Sequence, residues 1–71
     1  MAGRRTVFRM LAEGMREREE LAAELSIDDA VMLIWTLTSP QMYEYLVVDG
    51  GWSLARYRKH IVRLLRRALL Q

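Results

Sequence analysis

The sequence predicts an all-α fold. Only one proline and four glycines interrupt 71 residues. Leu, Ala, Arg, Glu and Met, all good helix formers, dominate the rest. Apolar residues recur at spacings of three and four, which gathers them on one face of a helix. Three to four helices are expected, at about 5–19, 27–38, 40–48 and 53–70, with no internal repeat and no low-complexity segment.

In the first of these, Phe8, Leu11, Ala12 and Met15 fall on one face. Gly14 weakens the helix by about 1 kcal/mol relative to alanine. Nothing in Glu19 to Leu25 forbids a helix, so the sequence leaves open whether the element runs on through 19–25.

Ser26 is a suitable N-cap for the second helix, since its hydroxyl can accept from the amide of Asp29. Asp28 and Asp29 suit the positive end of the helix dipole. Seven of the eight residues from Ala30 to Leu37 are apolar. Such a helix needs cover on more than one side.

Ser39-Pro40 then marks a break and a restart, because proline lacks an amide hydrogen but suits the first turn of a helix. A short segment from Pro40 to about Val48 should end at Asp49-Gly50-Gly51. No strand precedes the two glycines and no lysine or threonine follows at P-loop spacing, so a phosphate cradle is not expected there.

Ser53 caps the last helix, whose apolar stripe is Leu54, Tyr57, Ile61, Leu64, Leu65 and Ala68. Val62 and Leu69 widen it at one edge. Arg66 and Arg67 stand in the last turn, where the carbonyl end of the dipole favours positive charge.

A chain of this length forms one domain at most, here a single partial domain over 1–71, and buries a smaller share of its surface than larger chains do. With no cysteine, neither a disulfide nor a cysteine-rich metal site is available, and oligomerisation is the remaining common route to stability. The basic N-terminus is broken by Arg9 and Glu13 before it reaches signal-peptide length. No window approaches the roughly 20 apolar residues of a membrane span. A soluble, cytoplasmic protein without a membrane partner is expected.

Charge is unevenly placed. Residues 1–25 carry five Arg against five Glu, residues 26–51 carry four acids and no base, and residues 52–71 carry five Arg and one Lys with no acid. The acidic middle and basic end would pair within or between subunits, or the basic end would form an anion-binding face.

No enzyme is expected. The only histidine, His60, stands among Arg58, Lys59 and Arg63 with no nearby carboxylate in sequence to orient it. It reads as a surface or rim residue. One histidine without cysteine makes zinc improbable, and no metal or cofactor is implied. Asp28-Asp29 serves the helix start, and the hydroxyls of Thr36, Thr38 and Ser39 have no recognisable activating partner.

The segment from Ile34 to Leu70 resembles the C-terminal end of TetR/AcrR-type transcription regulators. The residues that carry the likeness are Trp35-Thr36-Leu37-Thr38-Ser39-Pro40, Tyr43, Leu46-Val47-Val48, Gly51-Trp52-Ser53, Tyr57, and Leu64-Leu65-Arg66-Arg67-Ala68-Leu69-Leu70. They span about half of the chain. Family members tend to carry glycine and proline in the connection where this chain has Glu19, Ala23 and Glu24.

The resemblance implies a homodimer in which the last two long helices form half of an intermolecular four-helix bundle. Val31, Ile34, Leu54, Tyr57, Ile61, Leu64, Leu65 and Ala68 would face the partner. It also implies that Met32, Trp35 and Tyr43 border an effector cavity, whose small-molecule ligand the sequence does not name. Operator DNA would be contacted only through a helix-turn-helix domain, which these residues do not include. Two rival expectations are a basic helical module that binds nucleic acid or an anionic surface, and a modulator that pairs with a full-length regulator.

Overall fold

The structure is a computed structural model and describes residues 3–71, with side chains from residue 5 onward. Its helices are α1 (Gly3–Glu17), α2 (Ile27–Leu37), α3 (Pro40–Tyr43) and α4 (Leu54–Leu69). A π-helical stretch, Glu44–Asp49, continues α3 without a break. The all-α expectation holds, and among the described residues the extended chain amounts to one isolated antiparallel bridge, Leu21 with Leu70.

α1 stops at Glu17, so the helix does not continue through 19–25. Glu19 adopts a left-handed conformation with φ 58°. The Glu20 amide donates to the Met15 carbonyl at 2.8 Å and the Glu19 amide to the Arg16 carbonyl at 3.0 Å. This pair of bonds is a Schellman motif, which normally places glycine at the left-handed position. Glutamate occupies it here, which is why the sequence carried no stop signal. The Arg16 guanidinium also donates to the Leu25 carbonyl, tying the end of α1 to the connection that follows.

Serine caps start the three later helices as expected. The hydroxyls of Ser26, Ser39 and Ser53 accept from the amides of Asp29, Met42 and Arg56 at 3.0, 3.3 and 3.1 Å. Ser39 in turn donates to the Thr36 carbonyl at 2.8 Å, so one side chain joins the end of α2 to the start of α3.

The end of the π-helical stretch is unusually wide. Gly50 donates five residues back to Tyr45 and Trp52 donates six residues back to Leu46, both at 3.0 Å. Gly51 is left-handed with φ 73°. An α-helix bonds four residues back and a π-helix five, so the Trp52 bond reaches one residue beyond the π pattern. At Gly50 a Cβ would stand 2.8 Å from the Leu46 carbonyl oxygen. Close backbone approach therefore requires glycine there.

α2 is the middle helix and packs against both α1 and α4, whereas α1 and α4 meet only sparsely. The described core consists of Ala12, Leu21, Ala22, Ala30, Val31, Ile34, Ile61 and Leu69. Three of these eight are alanines, and no large side chain is fully buried. The molecule is flattened, with extents of 38 × 31 × 16 Å. Its radius of gyration is 13.1 Å, against about 11 Å for a compact domain of this length.

Candidate functional site

The residues expected to face a partner divide into two sets. Val31, Ile34 and Ile61 lie inside the chain's own core at 4, 6 and 7% exposure. α2, apolar nearly all round, spends its Val31 and Ile34 side on its neighbours within the subunit. Leu65 and Ala68 are half-buried against the same core. Tyr57 is half-buried, with its ring edge-on to Tyr43 at 5.4 Å. Leu54 and Leu64 remain exposed, at 57 and 43%.

α1 supplies further apolar surface. Phe8, Ala12 and Met15 pack inward as expected, but Leu11 is 50% exposed. It stands beside Val7 and Met10, which are exposed at 55 and 66%. Val7, Met10, Leu11 and Gly14 follow the three-four-seven spacing of a helical face. That second row was present in the sequence; a helix apolar over more than half its circumference signals two neighbours, and the described chain supplies one.

Met32, Trp35 and Tyr43, expected to border one cavity, are not brought together. Trp35 packs edge-on against Phe8 at 6.4 Å and beneath the Arg5 guanidinium at 5.1 Å. Tyr43 is occupied by Tyr57. Met32 is exposed on the outer side of α2 and borders two shallow depressions, neither of which includes Trp35 or Tyr43.

His60 sits at the rim as expected, but not free in solvent. It lies against Trp52 with ring centroids 4.9 Å apart, and the Arg56 guanidinium lies 4.5 Å from the same indole. Arg56 and His60 are four residues apart, so one indole covers two successive turns of α4.

The basic end of the chain is organised by α4. Arg56, Lys59, Arg63, Arg66 and Arg67 share about 100° of the helix circumference, opposite the Ile61 side. All five are exposed, as is Arg58. Among the described residues the ion pairs are Arg9 with Asp28 and Arg18 with Glu20, and no carboxylate pairs with any cation of α4. Asp28 is thus engaged by α1, where its hydrogen bond and charge raise the proton affinity of the Arg9 guanidinium.

Compared with known protein families, curated proteins and solved structures, the chain matches none. No helix among the described residues is long and apolar enough to cross a membrane.

Proposed function

We propose that the chain is a subunit-pairing element, the dimerisation end of a TetR-type transcriptional regulator, and that it acts by self-association. The observation that carries this reading is surface area. A folded monomer of 8.4 kDa exposes about 4,600 Å², whereas this chain exposes 5287 Å². The excess is roughly 700 Å², close to the roughly 800 Å² that each partner buries in a standard interface.

The exposed apolar residues say where that area lies. Leu54 and Leu64, with the half-buried Tyr57 beside them, run along one side of α4 for about 15 Å. Val7, Met10 and Leu11 form a second row on α1. Burying such rows against a two-fold mate gives a four-helix arrangement of the kind bundles use. The pairing face is narrower than the resemblance implies, because Val31, Ile34 and Ile61 already serve the subunit.

Effector binding by these residues alone has less support, since Met32, Trp35 and Tyr43 do not converge. Sedimentation velocity on the purified chain tests the pairing role. A dimer at micromolar concentration is expected, and a well-folded monomer at that concentration refutes the proposal.

A further inference from the structure

We infer that the outer face of α4 is a binding site for the phosphodiester backbone of nucleic acid, without base reading. It goes beyond subunit pairing and uses a different surface. The resemblance places operator contact in a helix-turn-helix domain; the geometry of α4 supports a sequence-independent contact of its own.

Four observations support the site. First, its cations are uncompensated: no described carboxylate pairs with Arg56, Arg58, Lys59, Arg63, Arg66 or Arg67. Arg9 and Arg18, by contrast, are engaged by acids. Second, five of the cations, Arg58, Lys59, Arg63, Arg66 and Arg67, line a shallow open depression together with Ala55 and Val62. The shorter side chains of Ala55 and Val62 leave room for a backbone between the long ones.

Third, the stripe from Arg56 to Arg67 is about 16 Å long at 1.5 Å per residue. Duplex DNA presents about ten phosphate charges over that length. Fourth, five of the six cations are arginines, whose planar forks bind phosphate oxygens through paired hydrogen bonds.

The same face is poorly built for a lipid surface. Interfacial helices bury bulky apolar side chains next to their cations. Here the apolar residues that line the depression are Ala55 and Val62, the indole of Trp52 is covered by Arg56 and His60, and Tyr57, Ile61 and Leu64 lie across α4 from the stripe of Arg56, Lys59, Arg63, Arg66 and Arg67.

Fluorescence anisotropy with a labelled 20-base-pair duplex of arbitrary sequence tests the site on the full chain. Binding should be detectable at 50 mM salt and weaken on the order of 100-fold by 200 mM, as expected for about four neutralised phosphates. An unrelated duplex should bind equally well. Arg63→Glu with Arg66→Glu should weaken binding at least tenfold and flatten the salt dependence, with unchanged helicity by circular dichroism. Arg18→Gln should leave binding as it is.

Three results would overturn the inference: no anisotropy change at 50 mM salt, equal binding by the double variant, or binding to vesicles containing phosphatidylserine with none to the duplex. Loss of self-association in the double variant would also count against it, because these cations would then serve the pairing of subunits. Loss of DNA binding with the sedimentation coefficient unchanged supports the site independently of the pairing proposal.

Discussion

The Ala22 amide donates to the Leu69 carbonyl at 2.7 Å, joining the connection after α1 to the last turn of α4. Around this bond the Gln71 amide donates to the Glu20 carbonyl at 3.1 Å. The Gln71 side-chain amide reaches the carbonyls of Glu19 and Leu21, each at 3.1 Å. Because α1 and α4 pack on each other so little, this strap does what a helix interface would otherwise do, and it closes the open side of the three-helix arrangement.

Leu69 is the apolar half of that strap, at 6% exposure. Leu69→Ala removes buried area where the surroundings are already thin, and about 2–3 kcal/mol of stability should be lost. Urea unfolding should show a lower midpoint. Hydrogen exchange should show faster exchange at the Ala22 amide than in the parent protein.

Glu19 holds a left-handed conformation that costs a residue with a Cβ roughly 1–2 kcal/mol. Glu19→Gly relieves this, less the extra backbone entropy of glycine in the unfolded chain. A net gain of about 0.5–1 kcal/mol is expected, read as a rise of several degrees in Tm. A fall in Tm would mean that the motif does not hold the end of α1 in solution.

Gly50 and Gly51 should respond to alanine for different reasons. At Gly50 the new Cβ meets the Leu46 and Tyr45 carbonyl oxygens at 2.8 and 3.1 Å, and backbone must move to admit it. About 2–3 kcal/mol is expected there. At Gly51 the space is open and only the positive φ is penalised, about 1–2 kcal/mol. Thermal denaturation of the two variants should rank them in that order.

Leu64 is exposed in the single chain, so Leu64→Glu should leave the fold intact and abolish self-association. Sedimentation velocity should move from dimer to monomer while circular dichroism retains its helical minima. Arg58→Glu, about 100° or more around α4 from Tyr57 and Leu64, should remain a dimer. Equal association of both variants would place the pairing face elsewhere, with the Val7, Met10 and Leu11 row the next to test.

Most of the fold was legible in the residues. The three serine caps, the break at Ser39-Pro40 and the stripe of α4 each rest on interactions within a few positions of sequence. What the residues left open depended on neighbours. Leu11 belonged to the same periodic set as Phe8 and Met15, yet only a packed α2 decides which side of so broad a stripe is covered. Val31, Ile34 and Ile61 were equally plausible at an interface or in a core, because burial is the same physical demand in both. The aromatic residues were visible too, but not that Trp35 would take Phe8 and Tyr43 would take Tyr57.

The sequence by itself determined the helices, their caps and the concentration of positive charge on α4, because propensity, capping and periodicity act over a turn or two of chain. Tertiary structure alone decided where α1 ends, which apolar residues are used up inside the subunit and that the cations of α4 pair with no acid among the described residues. Those outcomes depend on contacts between residues as far apart as Glu20 and Gln71, whose meeting is set by the packing of α1 and α4 on the helix between them.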